Sequence, residues 1–197
     1  TNATPYSGVN TATLTITNPA KTENSATFDV VLNGATCPVT SNSANLTVYE
    51  KVVISNQPIA SQIFCEGNTA TITVAATGDG LTYQWYKGAA ALADGGSISG
   101  VNSPTLTITP LVLADGATYH CVVSGTSPCN PVVSNNSVLN VNQGPVIITP
   151  PAITQTICEG NSVSFSVGAT VGSLSYQWYK GAVALSNGGS ISGVNTA

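Results

Sequence analysis

Apolar and polar residues alternate with a period of two along most of the chain. Ala70, Ile72 and Val74 are separated by threonines, and Val163, Phe165 and Val167 by serines. Leu81, Tyr83 and Trp85 alternate with Thr82 and Gln84, while Leu14 and Ile16, like Leu106 and Ile108, stand between threonines. Tyr119 and Cys121 flank His120, and Val138 and Val141 close the pattern. Side chains two apart share one face of a strand, so this alternation predicts strands buried on one side and wet on the other. No window has the spacing of an amphipathic helix. Gly78-Asp79-Gly80 and Asp94-Gly95-Gly96 interrupt the alternation as turns, because Gly and Asp suit tight backbone geometry. Seven or so short strands in about 92 residues predict an all-β fold, an antiparallel β-sandwich.

The pattern repeats. Cys65-Glu66-Gly67-Asn68 recurs as Cys158-Glu159-Gly160-Asn161, and Gln84-Trp85-Tyr86-Lys87 as Gln177-Trp178-Tyr179-Lys180, both at a step of 93 residues (158 − 65 and 178 − 85). Ser99-Gly100-Val101-Asn102 recurs 93 residues later as Ser192-Gly193-Val194-Asn195, and stands 92 residues upstream as Ser7-Gly8-Val9-Asn10. The register divides the chain into the C-terminal half of a repeat (1–49), one complete repeat (50–143) and the N-terminal half of another (144–197). A half-repeat cannot close its own core, so each half is expected to be completed by a neighbouring repeat, in cis or in trans. Arrays of this kind build length and valency rather than active sites. Val48–Val52 passes between repeats with almost no spacer, and Pro145, Pro150 and Pro151 stiffen the second link. A semi-rigid rod follows, with roughly 30–40 Å per repeat.

Composition narrows the function. Charged residues make up 6% of the chain, with four lysines, no arginine and eight acids. That balance argues against nucleic acid, whose phosphates need Lys and Arg. No run approaches the 18 apolar residues of a membrane span, so no membrane insertion is expected. The one histidine, His120, should point away from the inward Cys121 thiol, which leaves no nucleophile–base pair. The carboxylates are scattered through turns. No two cysteines form a C-x-x-C pair, so zinc is not expected, and the junctions supply too few oxygens for calcium. Gly95–Gly100 lacks the Lys-Ser/Thr ending of a phosphate loop. The reading is a protein with no cofactor, no metal and no catalytic residues.

Specific residues resemble the immunoglobulin family. Tyr83–Lys87 looks like strand C with Trp85 as the core tryptophan, a place Trp178 takes in the last unit. Leu106-Thr107-Ile108 resembles strand E, and Asp115–Cys121 resembles the tyrosine corner and strand F, with Tyr119 as the corner tyrosine. The family's strand-B cysteine is Val74 here and Val167 in the last unit, which implies that Cys121 is a buried free thiol. Val30 takes its place in the first unit. Every unit carries cysteines at two other equivalent places, Cys65/Cys158 and Cys37/Cys129. A Cys65–Cys129 disulfide is therefore expected in the complete unit, worth roughly 4 kcal/mol. Cys37 and Cys158 are expected to be half-cystines with partners outside this chain or in trans, including each other between molecules. Disulfides imply an oxidising compartment.

A Cys-Glu-Gly opening, a Tyr-Gln-Trp-Tyr-Lys strand and a late cysteine before a Ser/Asn-rich last strand are similar to the immunoglobulin-like repeats of very large Bacteroidota surface proteins. These include SprB-type gliding-motility adhesins exported by the type IX secretion system. The resemblance implies an extracellular stalk or filament on the bacterial cell surface. Outward Tyr86 and Tyr179, beside Lys87 and Lys180, offer a candidate contact for surface polysaccharide, or else pack within the protein. The alternatives to a stalk are thus a repeated carbohydrate-binding module and an accessory region of an exported enzyme.

Overall fold

The computed structural model describes residues 5–170 and 174–196. Two sheets span the segment expected to be the complete unit. In the first, Ala90–Ala91, Thr82–Lys87, Ala117–Ser124, Ser137–Asn142 and Ser61–Cys65 lie side by side, and Val132–Val133 also pairs with Ala117–Ser124. All pairings are antiparallel except the last, where Ser61–Cys65 runs parallel to Ser137–Asn142. In the second, Thr105–Ile108 joins Ile98–Ser99 to Ala70–Thr73. Ala75–Thr77 continues from there and pairs with Val53–Asn56. Among the described residues the helical segments are two 3-10 turns, Lys21–Glu23 and Leu113–Asp115.

The period-two pattern explains the core. Ala70, Ile72, Val74, Leu106 and Ile108 come from one sheet; Trp85, Tyr119, Cys121, Val123 and Leu139 come from the other. All are buried, while the intervening threonines face out or lie partly covered. One expectation has the wrong parity. Val138 is exposed, and its neighbours Ser137 and Leu139 are the buried pair. Leu139 and Val141 share a face, so Val138 must take the other. Ser137 tolerates burial because its hydroxyl donates to the Ile59 carbonyl at 2.6 Å.

The recurring motifs prove to be backbone devices. Glu66-Gly67-Asn68 is the turn that reverses the chain into Ala70–Thr73. Gly67 stands at φ +85° and Gly160 at φ +87°, a region that glycine enters without steric cost. Ser99–Asn102 cradles the tryptophan: the Val101 carbonyl accepts the Trp85 N–H at 3.0 Å, and the Ser103 carbonyl accepts its indole N–H at 2.9 Å. The Asp94 carboxylate holds the loop by accepting the Val101 N–H. Asn187 takes that place in the last unit, where the Trp178 indole donates to the Thr196 carbonyl.

Among the described residues the flanking segments form short paired strands. Tyr6–Ser7 pairs Thr15–Ile16, Thr27–Phe28 pairs Ala44–Asn45, and Val31–Asn33 pairs Pro38–Thr40. Beyond residue 143, Ile147–Thr149 pairs Gly168–Ala169, and Tyr179–Lys180 pairs Val183–Ala184. The strand expected at Val163–Val167 is absent, and Val163 and Phe165 are exposed. Its counterpart Ala70–Thr73 is held by Thr105–Ile108. Unpaired backbone has nothing to hold it extended.

Candidate functional site

Three features of the complete unit bear on function: the strand-C face, the cysteines, and the junction with the preceding half-unit.

On the strand-C face, Tyr86 lies directly across from His120, and their rings stack with centroids 5.0 Å apart and planes 5° off parallel. One face of Tyr86 is thereby occupied within the unit. Lys87 is also engaged, since its ammonium donates to the Ala114 carbonyl at 2.7 Å and lies 3.9 Å from the Asp115 carboxylate. That lysine ties strand C to the corner, where Asp115 accepts the Val112 N–H and the Tyr119 hydroxyl donates to the Asp115 carbonyl at 2.8 Å. Burial, helped by the Asp115 charge, pushes the Tyr119 hydroxyl up to about 12. Tyr179 and Lys180, at the equivalent place in the last unit, are both exposed.

No disulfide joins any two of the five cysteines within the chain. Cys121 is fully buried opposite Trp85, and burial pushes its thiol up to about 11. A thiol reagent acts on the thiolate. At pH 8 Cys121 should therefore remain unmodified by a disulfide reagent in the folded chain, while exposed Cys37, Cys65 and Cys158 react. Thiol counting before and after adding denaturant checks this, and rapid modification of all five in the native state would contradict it.

The expected Cys65–Cys129 disulfide is not formed, and the topology explains why. Cys65 ends a strand that runs parallel to the last one, so it lies across from Asn142 at the pole where the chain leaves the unit. Cys129 follows Ser124, at the opposite end of the Ala117–Ser124 strand, where its sulfur is 3.7 Å from the Glu50 carbonyl. Eight extended residues separate the poles by roughly 25 Å. A disulfide needs Cα atoms within about 7 Å. Equal positions in every unit established that the cysteines recur but did not place them on the same side.

The junction gathers residues that do not repeat. Asp79, in the turn after Ala75–Thr77, accepts hydrogen bonds from the Lys21 ammonium of the first unit and, at 2.8 Å, from the Glu50 N–H. Lys21 also donates to the Val48 carbonyl and lies 5.8 Å from the Tyr49 ring centroid. Gly125 closes the same end; a Cβ there would come within 2.8 Å of Val52. Sequence reasoning passed over Lys21 and read Asp79 only as a turn residue, because it weighted what recurs, and their counterparts are Leu113 and Gly172. The available signal was scarcity: Lys21 is one of four lysines in 197 residues.

The Lys21 hydrogen bond, then that from Glu50, lowers the pKa of the Asp79 carboxyl below its usual 3.8. A depressed folded pKa makes the contact fully present above that ordinary value, and protonation removes it as pH falls through the lower folded value. Small-angle scattering of the chain should therefore hold steady down to about pH 3.8, the ordinary Asp value, and change only below it. Asp79→Asn should give the acid profile already at pH 7. A variant indistinguishable from the parent at pH 7 would rule out a role for this contact.

No protein-family model and no curated protein matches this sequence. Solved structures do. Extracellular domains 3–5 of Drosophila OTK superpose with a TM-score of 0.56 at 17% identity, over 71% of this chain and 47% of theirs. This chain thus spans about half the length of that fragment. A three-domain immunoglobulin fragment from the I-band of titin gives the same TM-score and identity, over 96% of this chain and 68% of its own. The fold is all-β and immunoglobulin-like. At such identities the likeness speaks for the fold alone.

Proposed function

We propose that this segment is a non-catalytic spacer in a secreted bacterial surface adhesin or filament, a semi-rigid stalk that holds an adhesive element away from the cell. The observation that carries this reading is the junction. A turn of one repeat is hydrogen-bonded onto a turn of the next through Lys21, Asp79 and Glu50, with no free linker between them. Load entering one sandwich therefore passes directly into its neighbour. The Cys-Glu-Gly and Tyr-Gln-Trp-Tyr-Lys resemblance supports placing the stalk among Bacteroidota surface proteins, with type IX export and a part in adhesion or gliding motility. Division into a complete unit at 50–143 flanked by halves completed in cis or in trans belongs to the same reading, as does Trp85 and Tyr119 serving as core anchors.

The test is to vary repeat number. A spacer predicts that contour length in electron micrographs grows by roughly 30–40 Å per repeat and that surface adhesion weakens on shortening, while soluble target binding is unchanged. Loss of soluble binding in proportion to repeats removed would instead favour a polysaccharide-binding module. For that second reading, exposed Tyr179 and Lys180, with Tyr86 and Lys87, are the contacts to mutate. The commitment of Lys87 to Ala114 and of Tyr86 to His120 favours the spacer.

A further inference from the structure

We propose that consecutive repeats are joined by disulfides across their junctions, the cysteine of the Cys-Glu-Gly-Asn turn of one repeat bonding the late-hairpin cysteine of the repeat that follows. This deepens the stalk reading and rests on it. Its basis is the polarity of the complete unit. Cys65 lies at the exit pole, beside the last strand: the Glu66 N–H donates to the Asn142 carbonyl and the Gly67 N–H to the Leu111 carbonyl. That turn is therefore tied to the segment leading into the Leu113–Asp115 helical turn. Cys129 lies at the entrance pole, with its sulfur against Glu50 of the incoming link.

The first junction shows which poles meet. Lys21–Glu23 is the 92-residue counterpart of Leu113–Asp115 (113 − 21), and Lys21 reaches the Asp79 turn of the complete unit. Thr126 of the late hairpin, three residues before Cys129, donates its N–H to the Asp79 carbonyl at 2.8 Å and completes the contact. The exit pole of one repeat, where the Cys65 position belongs, thus docks onto the entrance pole of the next, where Cys129 belongs. Cys65 and Cys129 in one unit are too far apart to bond, but docking of the exit pole onto the entrance pole brings the Cys65 end of one repeat to the Cys129 end of the next. Both thiols are accessible, and Cys121, sealed in the core, takes no part.

The chemistry balances with a small-molecule disulfide of the oxidised-glutathione class as oxidant. One protein thiolate attacks it, forms a mixed disulfide and releases one small thiol. The neighbouring repeat's thiolate then attacks the protein-side sulfur and releases the second. Two protein thiols are oxidised to one disulfide, and one small disulfide is reduced to two thiols.

The test extends the chain behind Ala197 with a copy of residues 105–143, which continues the last unit in register (197 − 93 = 104). After refolding in a glutathione redox buffer, free thiols are alkylated and unreduced peptides are mapped. The expected result is Cys65 joined to the copied Cys129, with the original Cys129, Cys37 and Cys158 alkylated. Cys65 alkylated in the folded protein, or joined to its own unit's Cys129, overturns the proposal. Should Trp178 emission show that the extended unit does not fold, a tandem of two complete units replaces it, made by placing a copy of residues 51–143 behind residue 143. In that tandem the first Cys65 must join the second Cys129. Docked units with a free Cys65 overturn the disulfide and leave the stalk standing, whereas units that tumble independently with free thiols overturn both.

Discussion

Trp85→Ala lowers the unfolding free energy of the complete unit by about 3–5 kcal/mol, within the usual cost of removing a buried large aromatic. The indole is fully buried between the two sheets and packs among Ile72, Val74, Leu106 and Cys121 in one core cluster. Its N–H is satisfied by the Ser103 carbonyl at 2.9 Å, so truncation leaves both a cavity and an unpaired carbonyl. Trp178→Ala removes a ring that is only half-buried and should cost less. Urea unfolding followed by far-ultraviolet circular dichroism separates the two. A Trp85→Ala midpoint close to that of the parent would show that the core does not depend on the ring.

Gly100→Ala is the second large effect, on a residue with no side chain. Gly100 stands at φ +79°, and a Cβ there would come within 2.3 Å of the Thr105 carbonyl oxygen. The obstacle is backbone, which cannot swing away. The left-handed conformation costs an alanine about 1–2 kcal/mol, and forcing the loop open adds about 1–3 kcal/mol of overpacking strain. The loop is also the cradle of Trp85, so displacement of Val101 withdraws the acceptor of the Trp85 N–H. Gly67→Ala is the control: its φ is also positive, but nothing lies within 4 Å of a Cβ there. Gly100→Ala should unfold at markedly lower urea than Gly67→Ala. Equal midpoints would mean that left-handed strain alone accounts for both.

Much of the sandwich was legible because period-two alternation is a local property. Ala70, Ile72 and Val74, Leu106 and Ile108, and Tyr119 and Cys121 each occupy the face their spacing assigns. The alternation failed at Val138, which stands three residues from Val141 and so cannot share its face, while Ser137 and Leu139 are the buried pair. At Val163–Val167 the pattern is intact but the strand is not, since a strand depends on a partner that local spacing does not supply. The strand-C tyrosine was expected outward or packed, and the structure pairs it with His120, a neighbour 34 residues away (120 − 86) that only strand register brings alongside.

The repeat period, the β-sandwich class, most of the inward faces and the positions of the turns follow from the sequence alone, since each depends on the spacing of a few neighbouring residues. Which pole each cysteine occupies and which charges meet at the junction were decided only by the tertiary structure. Parallel pairing of Ser61–Cys65 with Ser137–Asn142 sends Cys65 to the exit pole, and the chain reversal after Ser124 holds Cys129 at the entrance. Both outcomes depend on the direction in which distant strands run beside one another, which residue spacing does not encode.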